Sequence, residues 1–263
     1  MKVPFTKAHG AKNDFLLTWA SQAPAEELAT VAIAICDRHT GIGADGWLLV
    51  QPAQPARPAS IRLFNADGSE AEISGNGTRC AAAFLVDAGG TGPCLTIQTG
   101  AGPKYLRLIR RDGNTYLFEM NMGQPITQEA RLSLRDGDLP VVLADVGNPQ
   151  CVLFVDDFAL DWRSLGEEIE RHRHFPNRTN VSFVRVLDPH RIDVRFFERG
   201  AGETMSSGTG STGAAAAAIA QGFVESPVTV ETPAGPLQLD LRNREVYLVG
   251  PAEITARGEF YVV

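Results

Sequence analysis

The chain has 263 residues, 44% hydrophobic and 21% charged, with 26 glycines and 16 prolines. It is too apolar for a disordered segment and too poor in glycine and proline for a collagenous or low-complexity one. At about 100–200 residues per domain it makes one large domain or two small ones. Twenty-four Lys and Arg against 31 Asp and Glu leave a net charge of −7, which argues against a nucleic-acid or anionic-membrane surface.

In chain order, short β-rich runs bounded by turn residues predict strands at Val3–Lys7, Trp47–Val50, Ile61–Phe64, Leu95–Thr99, Lys104–Arg110 and Thr115–Glu119. They continue at Cys151–Val155, Val181–Val186, Ile192–Phe197, Val228–Thr232, Leu237–Leu241 and Val246–Val249. Helices are predicted over Ala25–Cys36, over Thr78–Asp87 with a stop at Gly89-Gly90, from an Asp161 N-cap with Leu165 and Ile169 inward, and over Ser211–Gln221 with a stop at Gly222. The last of these has no polar face over most of its length, so it is expected to be buried on all sides. No apolar run approaches the about 18 residues of a membrane span, and Met1–Gly10 has no stretch suited to a signal peptide. Cys36, Cys80, Cys94 and Cys151 are scattered with no CxxC pair, so reduced thiols and a cytoplasmic location are expected.

The chain repeats itself once. Phe64–Ala83 and Phe197–Ala216 share one grammar at an offset of 133: a strand, a polar glycine-containing loop, and a Ser-Gly-x-Gly turn opening an alanine-rich helix. Phe64, Glu70, Ser74, Gly75 and Gly77 recur as Phe197, Glu203, Ser207, Gly208 and Gly210. This predicts an α/β (α+β) protein of two similar lobes, each a curved, barrel-like sheet around a central helix. The expected lobes are 1–120, with 251–263 returning to it, and 121–250, with the site in the cleft between them. Open amides at a helix N-terminus form an anion site. Two such ends related by pseudo-symmetry could grip one carboxylate, with Ser74 and Ser207 flanking its α-carbon as a two-base racemase requires. The plainer reading is that both serines are ordinary N-caps.

Gly208–Gly213 also spells GxGxxG and opens a helix. The strand before it ends ten residues too early for a dinucleotide-binding turn, and too little chain follows Glu231. His172 and His174 are two apart at a helix end and share no face, so no metal site is read there. No metal, flavin or pyridoxal signature is present, and no cofactor is expected.

The blocks Phe5–Phe15, Asp37–Gly46, Phe64–Gly68, Ser74–Arg79, Gly147–Pro149, Asn177–Asn180 and Glu198–Glu203 resemble, in order and over essentially the whole chain, those of the diaminopimelate epimerases. The resemblance implies a cofactor-independent isomerase of bacterial lysine and cell-wall biosynthesis, acting on a small amino acid. It implies that Asn13, Asn65, Asn148 and Asn180 contact the substrate's polar groups. It places Arg199 on the distal carboxylate and Glu198 near the distal ammonium, and Glu198 joins the serines as a candidate catalytic group. The amides of Gly75-Asn76 and Gly208-Thr209 would hold the reacting carboxylate. The family often dimerises through a tyrosine near the C-terminus. Ile254–Gly258 has none, which leaves a homodimer as an open expectation.

The chain departs from the family where the chemistry is. The family's acid and base are cysteines, and here those positions are Ser74 and Ser207. If an alcohol's pKa lies about five units above a thiol's, making the base costs about 7 kcal/mol more, or about five decades in rate. Serine normally acts with a neighbouring base, and the family's histidine after Gly-Asn-Pro is here Gln150. Cys80, six residues into the helix, is no replacement. A natural serine variant is weighed over an introduced double replacement. A racemase of another amino acid and a non-catalytic amino-acid-binding paralogue stay open.

Overall fold

The computed structural model describes residues 1–90 and 92–262. Its first half runs β1 (Lys2–Gly10), β2 (Asn13–Trp19), α1 (Leu28–Cys36), β3 (Gly46–Gln51), β4 (Ala59–Asn65), β5 (Glu70–Ala71), α2 (Gly75–Asp87), β6 (Cys94–Thr99), β7 (Gly102–Asp112) and β8 (Thr115–Gly123). The second half runs β9 (Ile126–Leu134), β10 (Gly137–Asp145), β11 (Pro149–Phe154), α3 (Trp162–Glu170), β12 (Asn180–Asp188), β13 (Arg191–Glu198), β14 (Gly202–Thr204), α4 (Gly208–Ala220), β15 (Val228–Glu231), β16 (Leu237–Arg242) and β17 (Glu245–Tyr261). The chain divides into two compact units. Unit 1 is Met1–Met120 plus the segment from Gly250 onward, and unit 2 is Asn121–Val249. Val263, the last residue of the expected returning strand, lies outside the described residues. No helix among the described residues is long and apolar enough to cross a membrane.

Both units are wired alike. In unit 1, β17 pairs with β1 and β1 with β2, β2 runs parallel to β3, β3 pairs with β4, β4 runs parallel to β6, and β6 pairs with β7. In unit 2, β9 pairs with β10 and β10 with β11, β11 runs parallel to β12, β12 pairs with β13, β13 runs parallel to β15, and β15 pairs with β16. The parallel pairs fall at the same steps, and each encloses a helix: α1 or α3 at the first, α2 or α4 at the second.

The helices explain themselves chemically. Every residue of α4 from Gly208 to Ala218 is buried, as its lack of a polar face requires. In α2, Gly75–Leu85 is buried as well, and Ala81–Ala83 lets the strands approach closely. On the other side of each sheet, α1 brings Val31 and Ile35 onto Trp47 and Phe64, and α3 brings Trp162 and Ile169 onto Val181 and Phe183. Each large apolar side chain buried this way contributes about 1.5–3 kcal/mol.

The elements differ from the sequence reading in several places. Helix α1 begins at Leu28 rather than Ala25, because Glu27 sits at φ 57° in the left-handed region and interrupts helical geometry. Helices α2 and α4 begin at their first glycines rather than at Thr78 and Ser211. The hairpin of β9 and β10 was not expected, and β17 extends 17 residues through Pro251.

Candidate functional site

Each central helix opens on a serine in extended conformation, Ser74 at φ −128° and Ser207 at φ −133°. Both are genuine N-caps. Ser74 Oγ accepts from the Gly77 amide and Ser207 Oγ from the Gly210 amide, each at 3.1 Å. Capping uses one acceptor position of each hydroxyl and leaves its proton to be donated elsewhere. The amides of the first helical turn have no intrahelical partners and concentrate the positive end of the helix. Packing requires a glycine at 210, where a Cβ would meet the Phe196 ring at 2.8 Å, and it crowds Gly10, where one would meet Asn76 at 3.2 Å.

In unit 1 the turn is held by a chain of amides. Asn76, 1% exposed, donates through Nδ2 to Asn13 Oδ1 at 3.3 Å, and Asn13 Nδ2 donates to Asp45 Oδ2 at 2.6 Å. Arg38 bridges Asp45 and Asp14 at 2.8 Å to each, and Lys7 lies 3.0 Å from Asp14. Burial works to raise the Asp14 carboxyl, but hydrogen bonds and charge from Arg38 and Lys7 outweigh it and hold it below its usual range. Burial dominates at Asp45 and pushes it up. Beneath the turn lies Arg79, fully buried, donating to Asn76 Oδ1, to Gly75 O at 3.3 Å and to Pro251 O at 3.1 Å. Burial lowers its guanidinium to about 10, so it is still a cation at neutral pH. Asn65, at the end of β4, donates through Nδ2 to Ser69 Oγ at 3.0 Å and opens a tight turn.

In unit 2 the turn meets a carboxylate. Ser207, 3% exposed, donates to Glu198 Oε2 at 2.7 Å, and Thr204 Oγ1 donates to Glu198 Oε1 at 2.6 Å. The β13–β14 hairpin creates this contact by pairing Glu198 with Gly202 and so turning the chain back. Asn180 braces the next residue: its Oδ1 accepts from the Arg199 amide at 3.0 Å, and its Nδ2 donates to Pro149 O at 3.0 Å. Arg199 Nη1 donates to Asn177 O at 3.3 Å. Glu170, 2% exposed, bonds Arg178 at 3.3 Å and the Gly200 amide at 3.4 Å, tying both loops to α3. Gln150, 1% exposed, donates to Asn148 Oδ1 at 2.7 Å, and Asn148 Nδ2 reaches Thr209 Oγ1 at 3.4 Å.

The candidate residues therefore gather in two sets, Asn13, Asn65, Ser74, Gly75 and Asn76 in unit 1, and Asn148, Asn180, Glu198, Arg199, Ser207, Gly208 and Thr209 in unit 2. Three supporting residues were not singled out from sequence: Asp45, which fixes Asn13, Arg79 and Glu170. Arg79 and Asp45 lay inside quoted blocks. Glu170 gave no signal beyond being an acid at a helix end. The buried thiols are not substitutes for the missing cysteines, since burial pushes Cys36, Cys80 and Cys151 up to about 12.

The model of the family described as diaminopimelate epimerase matches residues 5–127 and 142–255. Diaminopimelate epimerase of Pelotomaculum thermopropionicum is 38% identical over 276 residues, covering 97% of this chain and 98% of its own. That of Microcystis aeruginosa is 39% identical over 280 residues, covering 98% and 99%. Among solved structures, the fold is shared with a hydroxyproline epimerase from Agrobacterium vitis (TM-score 0.75, 17% identity, 98% of this chain and 92% of that one). It is shared too with a PhzF-family phenazine biosynthesis protein of Bacillus anthracis (TM-score 0.74, 16% identity, all of both chains).

Proposed function

The chain belongs to the diaminopimelate epimerase family, and from that premise we propose that it interconverts LL- and meso-diaminopimelate by moving the α-proton, with no cofactor, in the cytoplasm. The observation that carries this reading is the turn built twice: in each unit a capping serine in extended conformation, a Gly-x-Gly step, and a buried helix that opens on it. Each first-turn pair, Gly75-Asn76 and Gly208-Thr209, offers donors to the reacting carboxylate. That charge stabilises the carbanion formed when the proton leaves. Ser74 and Ser207 are the acid/base positions, one for each face of the α-carbon. Asn13, Asn65 and Asn148 orient the substrate's polar groups. Arg199, its backbone braced by Asn180, takes the distal carboxylate in a planar contact, and Glu198 lies toward the ammonium.

Incubation in D2O tests this. Deuterium appears at the α-carbon of LL- or meso-diaminopimelate if the reading is right, and calorimetric binding without exchange marks a non-catalytic binding protein instead. Ser74→Cys combined with Ser207→Cys raises exchange by about two or more decades; no gain removes the two-base assignment.

A further inference from the structure

Two neutral amides in unit 1 lie between charged groups that each allow hydrogen bonding in one direction. Arg79, a guanidinium with donors only, donates to Asn76 Oδ1. Asn76 therefore turns its Nδ2 the other way and donates to Asn13 Oδ1 at 3.3 Å. Asn13 in turn donates through Nδ2 at 2.6 Å to Asp45 Oδ2, part of a carboxylate with acceptors only. Asp45 is itself held: Oδ2 also accepts from the Asp14 amide at 3.0 Å, and Oδ1 accepts from Arg38 at 2.8 Å. Reversing Asn13 would set its oxygen against Asp45, and reversing Asn76 would set its N–H groups against Arg79. The matching string in unit 2 has no such ends. Gln150 donates to Asn148 Oδ1 at 2.7 Å and Asn148 Nδ2 reaches Thr209 Oγ1 at 3.4 Å, but Gln150 and Thr209 can each donate or accept. Gln150 Oε1 is buried with no hydrogen-bond partner among the described residues, so nothing at that end selects a direction.

We propose that Asp45 is a positioning residue for substrate recognition: opposed by Arg79 at the far end of the string, it holds Asn13 in the orientation that offers the substrate an N–H, so that unit 1 reads a carboxylate oxygen there and rejects an ammonium. The assignment rests on the epimerase reading, in which Asn13 contacts the substrate, and adds to it what sets the direction of that contact. The Nδ2 of an asparagine carries two hydrogens; Asp45 takes one, and the other is the donor offered to the ligand. An amide free to turn over would suit either a carboxylate or an ammonium. Diaminopimelate carries one of each on both of its stereogenic carbons, so a reversible amide would accept it in swapped poses. Pinned at both ends, the string turns over only by leaving donors and acceptors mismatched around Asn76 and Arg79, both buried.

The test pairs calorimetric binding of LL- and meso-diaminopimelate with α-proton exchange in D2O and with thermal melts. In Asp45→Asn one oxygen replaces the two that serve Arg38, the Asp14 amide and Asn13. Binding weakens about tenfold, while exchange at saturating substrate stays within about threefold of wild type, as the loss of an orienting contact requires. Asn13→Asp sets two carboxylates together and lowers both the melting temperature and the affinity. Asn13→Asp combined with Asp45→Asn rebuilds a donor–acceptor pair with its direction reversed: the melting temperature recovers in part and the affinity does not. A merely structural role would return both together. Wild-type affinity in Asp45→Asn, or recovered affinity in the double variant, overturns the assignment and leaves the epimerase reading standing. A wild-type chain that binds no diaminopimelate overturns the substrate reading, and this assignment with it.

Discussion

The two Ser-Gly-x-Gly turns are copies in backbone and opposites in charge. In unit 1 the turn sits on a fully buried guanidinium, Arg79, whose counterpart 133 positions later is Thr212, which donates to its own helix at Gly208 O, 2.8 Å away. In unit 2 the serine touches the Glu198 carboxylate, whose counterpart is Asn65. Duplication kept what the helix needs: the cap, the glycines and the small buried face. It let the surrounding side chains diverge into a cationic turn and an anionic one. Symmetry of fold therefore does not imply symmetry of chemistry.

The comparison can be broken most forcefully at the serines. Ser74→Cys alone is expected to raise inversion of diaminopimelate by about two to four decades, because a thiol supplies the side that lacks a proton-holding partner. Ser207→Cys alone raises it less, since it trades a carboxylate-backed hydroxyl for a thiol. Equal gains in chiral assays would show the two sides to be equivalent after all.

A smaller effect separates Arg79 from Thr212. Arg79→Met leaves Gly75 O, Pro251 O and Asn76 Oδ1 without their donor in a buried place and costs about 3–5 kcal/mol. Thr212→Val loses one helical back-bond and costs about 1 kcal/mol. Urea unfolding midpoints of the two variants measure the gap.

The glycines sharpen the contrast further. Gly210→Ala places a methyl 2.8 Å from the Phe196 ring, whereas at Gly77 the nearest atoms are at 3.3 Å. The first is expected to destabilise by about 1–3 kcal/mol. The second stays within about 1 kcal/mol of wild type, as alanine's helix preference offsets the tighter contact. Thermal melts distinguish them.

The smallest effect is electrostatic and belongs to unit 1. Asp37 ends α1 and accepts from the Thr40 amide, the Thr40 hydroxyl and the His39 amide, which lower its carboxyl to about 2. A depressed folded value means that its contribution is complete above the unfolded range near pH ~4. It is lost as pH falls through about 2. Asp37→Asn therefore lowers the melting temperature slightly at pH 6, and the difference from wild type closes toward pH 2.

Much of this was legible in the sequence. The Ser-Gly-x-Gly turns and the glycine stops located α2 and α4, and an alanine run without a polar face foretold the burial of α4. The hairpin of β9 and β10 was hidden because Ile126–Leu134 leaves most side chains exposed or half-exposed, so no apolar alternation marks it. The Ser207–Glu198 contact was hidden for another reason. Glu198 was legible as a candidate group, but it stands nine residues upstream of Ser207 and comes into reach of it only because β13 and β14 fold back on each other. Hydrogen bonds between residues joined by a hairpin have no periodicity to read.

Strand β17 ends the chain against its beginning: Val262 donates to Met1 O at 2.8 Å and the Met1 amine donates to Val262 O at 3.0 Å. Unit 1 is thus assembled from two separate segments, and unit 2 from one uninterrupted stretch. Docking the returning strand closes a loop the length of the whole intervening unit, a cost in chain entropy that unit 2 does not bear.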